Sequence, residues 1–364
     1  MTCASFIGEG AGGEGEVTSS GDTPVGAPES HVLRVLVTGA TGFIGSHVAR
    51  ALIASGATLR VVHRPDSPTG LIDDLPADRV LGDILDPLSL AEACEGMEGV
   101  VHCAAQMRGQ GGLPARLESH VLGTRNMLAA AVGAGVRRFV CTSSVAALGI
   151  PPHPPADTDA EAPLLDETHE WRGDPALWPY GYAKHQAEQW VRRAAQEGLG
   201  ALIVNPALVI GPGDRNRVSN ILIWQILHGR VPPLLPGGLN VVSVEDVAAG
   251  TVAALARGRP AERYLLCGQN RTLADLIRTT ARLIGRPEPR LRLSLRATRA
   301  VAALAAAAAR LLHLPLAPEL LRQAGVYFYY SGDKARRELG LAAPRAYEPA
   351  ALASADWYRR RAAP

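Results

Sequence analysis

The chain has 364 residues, and 47% of them are hydrophobic, so it can bury a sizeable core in one large domain or in a large and a small domain. Its 37 basic and 35 acidic side chains leave a formal net charge of +2, which argues against nucleic acid as a partner and favours a small-molecule substrate. The 5 cysteines are odd in number and include no CxxC pair, so we expect no disulfide framework, no metal site and a cytoplasmic location.

Two segments differ in composition from the rest of the chain. Residues 1–30 are rich in Gly, Ser, Glu and Thr, which predicts a flexible tail, and they lack the pattern of a secretory signal. Residues 300–309 form an apolar stretch that Arg299 and Arg310 bound, and it is shorter than the ~20 residues that span a bilayer. We expect no transmembrane segment there, but a buried Ala-rich helix, with a lid or membrane-surface helix as the alternative.

From residue 33 onward, short β-branched runs alternate with longer helical patterns, which is typical of parallel strands joined by crossover helices. The predicted strands are residues 33–37, 59–62, 79–81, 99–102, 138–142 and 202–205. The predicted helices are residues 43–55, 88–94, 116–132 and 181–196. The fold class is therefore α/β, with a doubly wound parallel sheet over residues 31–205 and a surface loop inserted at residues 150–179.

After Asn205 the alternation becomes irregular because several prolines interrupt it. Helices are predicted at residues 220–228, 244–256 and 273–284. We interpret residues 206–364 as a smaller, mostly helical substrate lobe that returns to the sheet around residues 240–267.

A glycine-rich segment, TGATGFIG at residues 38–45, follows the first predicted strand and opens the first predicted helix. In this context Gly39 permits a tight turn, Gly42 lets the backbone approach a pyrophosphate, and Gly45 lets helix and strand pack closely. Backbone N–H groups and the positive helix end would hold the phosphates. The segment predicts a dinucleotide site.

The ends of the next strands refine this prediction. The second strand ends in Val-His-Arg-Pro without a carboxylate, and Arg64 is positioned for a ribose 2′-phosphate, which favours NADP(H) over NAD(H). After the third strand, Asp83 could accept from the adenine amino group or could simply form a turn. Ala104 and Ala105 follow the fourth strand, where small side chains permit close packing against a flat ring.

A series of motifs in order along the chain resembles the extended short-chain dehydrogenase/reductase family, also described as the NAD-dependent epimerase/dehydratase superfamily. These motifs read TGATGFIG, GDILDP, VVHCAA, LGTRNML, TSS, YGYAK and NPALVIGPGD, and SGDKARRELG is a weaker match. The chain looks nearest to the dihydroflavonol-reductase-like and 3-beta-hydroxysteroid-dehydrogenase-like branches. The resemblance implies a Rossmann fold, a nicotinamide dinucleotide, interconversion of a ketone and a secondary alcohol, and a possible homodimer.

The resemblance implies the catalytic residues Ser144, Tyr180 and Lys184. The spacing of Tyr180 and Lys184 places both on one helical face, where the ammonium can stabilise the ionised phenol. Ser144 would donate to the substrate oxygen, with Ser143 as its rival. The cofactor contacts implied with them are Gly39, Thr41, Gly42, Phe43, Ile44, Gly45, Arg64, Asp83, Ile84, Ala104, Ala105, Tyr180, Lys184 and Pro206.

Three further residues bear on the assignment of Tyr180 and Lys184 as the catalytic pair. Tyr330 repeats the Tyr-x-x-x-Lys spacing with Lys334 but lies far past the sheet, so we interpret that pair as structural. Tyr182 is a weaker rival of Tyr180 because no lysine follows at the same spacing. His120 stands where family members commonly carry Asn, and we expect it to be structural, with a place in a proton relay as the alternative.

The predicted function is hydride transfer between the nicotinamide cofactor and a small, apolar ketone or alcohol, with Tyr180 as acid and base. The first alternative is a nucleotide-sugar epimerase or dehydratase, which would usually place Arg where this chain has Asn240, although other arginines (Arg215, Arg217 or Arg263) could replace it. The second alternative is a non-catalytic dinucleotide-binding regulator on the same fold.

Overall fold

A computed structural model of the chain describes residues 32–105, 117–151, 162–172, 174–175, 178–312 and 325–362. The predicted tail and much of the predicted loop at residues 150–179 lie outside these residues. Within them, no helix combines the length and the apolar character that crossing a membrane requires.

The core of the fold is a sheet of parallel strands whose central members are buried on both faces, whereas the edge strand Ala77–Leu81 is partly exposed. Its strands are β1 (Arg34–Thr38), β2 (Thr58–His63), β3 (Ala77–Leu81), β4 (Gly99–His102), β5 (Arg138–Thr142), β7 (Gly200–Pro206) and β10 (Arg263–Leu266). They lie in the order β10-β7-β5-β4-β1-β2-β3, and every neighbouring pair is parallel. The order reverses between β1 and β4, so their carboxyl ends form the edge at which such sheets bind ligands. The predicted fold class is confirmed.

Some of the helices cover the two faces of this sheet, and others belong to the C-terminal part. Those along the first part of the chain are α1 (Phe43–Ala54), α2 (Pro87–Cys94), α3 (Gly123–Gly133) and α4 (Pro179–Gln196). Those that follow are α5 (Ile221–Leu227), α6 (Val244–Arg257), α7 (Leu273–Ile284), α8 (Leu295–Leu312), α9 (Asp333–Leu339) and α10 (Tyr347–Ala362). Val48 of α1 and Val247 of α6 belong to one buried cluster, whereas Leu90, Met127 and Val191 bring α2, α3 and α4 into a cluster on the other face.

The C-terminal part holds a second sheet that the sequence patterns did not predict. Its strands are β6 (Leu164–Leu165), β8 (Leu208–Ile210), β9 (Gly238–Ser243), β11 (Gln269–Thr272) and β12 (Tyr327–Tyr330). They lie in the order β11-β9-β12-β6, with β8 beside β9. The predicted helices α5 and α7 are present, and Ile223, Leu276 and Tyr347 pack against this sheet in a cluster of their own. Residues 263–266 return to the large sheet as β10.

The Ala-rich segment is helical, as its composition predicts, but the side chains described in its first half are exposed. Val301 and Leu304 of α8 both lie on the surface. The expectation of a buried helix is therefore wrong for this half.

Asn240 lies at the centre of the small sheet and is almost fully buried. Its Nδ2 donates to Asn270 Oδ1 over 2.7 Å, and its Oδ1 accepts from Gly268 N over 2.9 Å. Nδ2 also faces the carbonyl oxygen of Tyr330 at 3.4 Å. Asn240 therefore joins β9 to β11 and β12, and its amide is used within the sheet.

We predict that Asn240→Ala lowers the free energy of unfolding by about 2–4 kcal/mol, because it leaves buried polar groups of two neighbouring strands without a partner. Urea unfolding followed by far-ultraviolet circular dichroism measures this change. Asn216→Ala, at an exposed loop position, is the matched control and should change stability by less than about 0.5 kcal/mol. Equal effects of both variants would contradict the role given to Asn240.

Candidate active site

The glycine-rich turn after β1 fits closely against the end of β4. Gly39 has φ +71°, and a Cβ there would lie 2.7 Å from the Ala104 nitrogen. A Cβ at Gly45 would lie 2.2 Å from the Gly39 carbonyl oxygen. The turn closes through Gly42 N, which donates to Gly39 O over 3.0 Å, and α1 begins directly after it. Gly39 and Gly45 are therefore required by the packing of the turn itself, and the bare backbone at the helix start is a place where a pyrophosphate can bind.

A series of buried hydrogen bonds stabilises this turn. Thr38 Oγ1 accepts from Ala104 N over 3.1 Å and is 2.8 Å from His102 Nδ1. On the other side of the ring, His102 Nε2 is 3.4 Å from Thr124 Oγ1. Burial, together with the charge of Lys184, lowers the pKa of His102 to about 3. The ring is therefore neutral at physiological pH and joins β1, β4 and α3.

The predicted adenosine end of the site lies at the ends of β2 and β3. Arg64 directly follows β2, is 58% exposed, and holds its Nε 3.2 Å from Asp66 Oδ1. Asp83 Oδ1 accepts from Leu85 N over 2.9 Å, which makes the turn after β3. Ile84 lies against Gly123, at the first residue of α3. Arg64 is accessible to a phosphate, whereas part of Asp83 is already used by its own turn.

The first turns of α4 carry the predicted acid/base pair. Lys184 is buried, and its Nζ donates to the Thr142 carbonyl oxygen at the end of β5 over 3.0 Å. Tyr180 is half-buried, one turn earlier on the same helix. A Cβ at Gly181 would lie 2.4 Å from the Ala146 carbonyl oxygen, so the glycine lets α4 approach the strand end closely. The structure thus brings the start of α4 to the end of β5.

The two rival serines at this strand end have different partners. Ser143 is buried, and its Oγ donates to Glu188 Oε1 over 2.5 Å. Ser144 is half-buried and caps the short 3₁₀ helix Val145–Leu148 by accepting from Ala146 N over 3.2 Å. The Ser143 hydroxyl is thus committed to a carboxylate, whereas Ser144 keeps a hydroxyl that can donate.

Two residues of this region were not singled out from the sequence. Glu188 is fully buried one turn beyond Lys184, and its Oε1 also accepts from Asn205 Nδ2 over 2.6 Å. Asn205 Nδ2 donates in addition to the Ser144 carbonyl oxygen over 2.9 Å, and Pro206 directly follows it at the end of β7. The continued four-residue spacing Tyr180, Lys184, Glu188 was the available signal.

The remaining tyrosine candidates lie elsewhere. Tyr182 packs against Trp171 of the inserted loop, with ring centroids 5.7 Å apart. Tyr330 is buried in β12, and Lys334 donates to Glu262 Oε2 over 2.6 Å, so the second Tyr-x-x-x-Lys pair has its own partners away from α4. His120 belongs to the π-helix Glu118–Leu122 and contacts Tyr180 edge to face, with ring centroids 5.6 Å apart.

Comparison with known proteins identifies the class. A family model described as the NAD dependent epimerase/dehydratase family matches residues 35–267. The chain belongs to this family, and it is an enzyme of the extended short-chain dehydrogenase/reductase type. Membership and the fit of the glycine-rich turn support a nicotinamide dinucleotide as the cofactor.

Individual relatives match most of the chain. The protein named "Putative dihydroflavonol 4-reductase" of Synechocystis sp. is 34% identical over 334 residues, which covers 89% of this chain and 94% of the relative. "Sterol demethylase protein B" of Methylococcus capsulatus is 33% identical over 345 residues, covering 90% and 99%. Among solved structures, the crystal structure of gox2253 superimposes with a TM-score of 0.76 at 36% identity, covering 90% of this chain and 98% of that one.

We predict that His102 makes the protein sensitive to acid. Its pKa is lower in the folded chain, so the unfolded chain binds the proton more strongly, and stability falls as the pH drops below 6.5. This residue should account for about 1.4 kcal/mol of unfolding free energy per pH unit between pH 6 and pH 4. Urea unfolding at several pH values measures the slope.

His102→Asn should be less stable at pH 7.5 but should show a shallower slope than the wild type. His228→Asn, which replaces an exposed histidine, is the matched control and should keep the wild-type slope. An unchanged slope in His102→Asn would refute the assignment.

Proposed function

We propose that the protein interconverts a ketone and a secondary alcohol by hydride transfer, with Tyr180 as the proton donor and acceptor. The observation that carries this proposal is the meeting of α4 and β5: Lys184 binds the Thr142 carbonyl oxygen, Tyr180 lies one turn earlier on α4, and Ser144 lies two residues past Thr142. The nicotinamide ring of the bound cofactor would supply or accept the hydride.

Tyr180 gives its phenolic proton to the substrate oxygen in reduction and takes it back in oxidation. Lys184 lies one helical turn away, and the Thr142 carbonyl oxygen fixes its ammonium group. A fixed cation near the phenol stabilises the phenolate that proton donation leaves. Buried placement strengthens this interaction, since fewer water molecules screen it.

Ser144 is the proposed donor to the substrate oxygen. The hydroxyl already accepts from Ala146 N, so its proton is free to point toward a bound carbonyl group. Glu188 and Asn205 hold the backbone at this point, because Asn205 binds both Glu188 and the Ser144 carbonyl oxygen. We therefore assign Glu188 and Asn205 a positioning role.

The proposed substrate is apolar. Trp178 precedes α4 and stacks on Phe328 of β12, with ring centroids 6.0 Å apart, so the small sheet contributes an aromatic surface two residues from Tyr180 in sequence. The names of the relatives refer to a dihydroflavonol and to a sterol, which supports a ring-bearing molecule. Ile223 and Ile226 of α5 are core residues, so they do not contribute to this surface.

The nucleotide-sugar alternative receives less support. Asn240 stands where an arginine would hold a diphosphate, and its amide is engaged within the small sheet. Arg263 is buried and donates to the His169 carbonyl oxygen over 3.3 Å. The regulatory alternative also receives less support, since the chain carries Ser144, Tyr180 and Lys184, the residues that the proposed reaction requires.

We expect Tyr180→Phe to reduce turnover about 100- to 10,000-fold, because it removes the acid/base group. Turnover is measured by cofactor absorbance on a panel of hydrophobic ketones and secondary alcohols, and cofactor binding should be unchanged. Tyr182→Phe, on the same helix but packed against Trp171, is the matched control and should retain turnover. Full activity of Tyr180→Phe would exclude the proposed mechanism.

For the cofactor, we propose NADP(H) in preference to NAD(H), and we expect Arg64→Ala to weaken NADPH binding about 10- to 100-fold without affecting NADH. Fluorescence titration of both cofactors measures this. Asp66→Asn, which removes the ion-pair partner of Arg64, should leave NADPH binding equal or tighter. A preference for NADH that neither variant changes would reverse the assignment.

A further inference from the structure

A cationic pocket lies outside the site formed by the strand ends. It has a volume of about 180 Å³, and its walls come from the loop after β8, from α5 and from the end of α10. Arg215, Arg217 and Arg361 line it together with Trp224 and Trp357. None of the residues proposed for catalysis or for cofactor binding lines this pocket.

Each of two guanidinium groups lies over an indole ring. The Cζ of Arg217 is 4.5 Å from the ring centroid of Trp224, and the Cζ of Arg361 is 4.8 Å from that of Trp357. Arg217 has φ +54°, a conformation that costs free energy for any residue other than glycine.

The positive charge of the pocket lacks a counter-charge in the lining described. The nearby carboxylates form hydrogen bonds or ion pairs with other groups. Asp214 Oδ2 accepts from the Ser219 and Asn220 nitrogens, Asp73 pairs with Arg79, and Asp356 pairs with Arg359.

Arg215 is the guanidinium most affected by this arrangement. Its Nη1 donates to the Pro68 carbonyl oxygen over 2.9 Å, but its buried Nε has no hydrogen-bond partner in the part of the chain that the structure describes. Burial lowers the pKa of Arg215, the charge of Arg361 lowers it further, and Asp73 opposes both effects. A bound anion would relieve this crowding of like charges.

We propose that this pocket is a second ligand site, which binds a small aromatic anion: one flat ring that carries a phosphate or carboxylate group. The arginines match the geometry of such an anion, and the two indoles give the pocket aromatic walls against which the edge of a flat ring can pack. The volume suits one ring with its charged group, since a cavity of ~150 Å³ holds benzene. This site is independent of the proposed reaction.

Isothermal titration calorimetry with phenyl phosphate and benzoate tests the proposal, on protein saturated with NADPH so that the cofactor site is filled. At least one of the two should bind about tenfold more tightly than inorganic phosphate and than neutral benzyl alcohol. Arg217→Gly removes one guanidinium at a φ that glycine adopts without strain, and Arg361→Gln removes another. Each variant should weaken binding about tenfold.

One control locates the site. Arg360→Gln removes a charge from the same turn of α10 but not from the pocket. This variant should bind the aromatic anion as the wild type does. The proposal is overturned if neither aromatic anion binds more tightly than inorganic phosphate, or if Arg360→Gln weakens binding as much as Arg361→Gln.

Discussion

The close approach of the turn after β1 to the end of β4 is the constraint on which the site depends. Gly39 and Ala104 leave no room for a Cβ between them, so the two strand ends that flank the topological reversal lie in direct backbone contact. Thr38 and His102 fix this contact from below by hydrogen bonds that water cannot reach. A flat cofactor ring and a pyrophosphate can then lie along bare backbone at one edge of the sheet.

The buried contacts of helix α4 fix the position of Tyr180, the proposed acid/base residue. Lys184 binds the backbone at the end of β5, and Glu188 binds Ser143 and Asn205 at the ends of β5 and β7. These buried contacts are costly to leave unpaired, so they fix both the depth and the rotation of the helix. The position of Tyr180 is therefore determined by residues that never touch the substrate.

Sequence patterns were sufficient for six of the seven strands of the large sheet, for its helices and for the family, because apolar runs and glycine spacing are local signals. The seventh strand, β10, was not predicted as a strand. The small sheet escaped prediction, since β6 has two residues and pairs with β12, which lies far along the chain. Asn240 likewise gave no local sign that its amide joins three strands. The different partners of Ser143 and Ser144 also could not be predicted, because Ser143 binds Glu188, which lies 45 positions further along the chain.

Tyr180, Lys184 and Glu188 lie on one helix, which limits the insertions and deletions that this enzyme can tolerate between them. Tyr180, Lys184 and Glu188 recur every fourth residue, and inserting or deleting one residue between them would rotate the downstream part by about 100°. Such a change would move Tyr180, the proposed proton donor, away from Lys184 even if every side chain were kept. A substitution at Trp178 or Phe328, by contrast, leaves the spacing from Tyr180 to Glu188 intact.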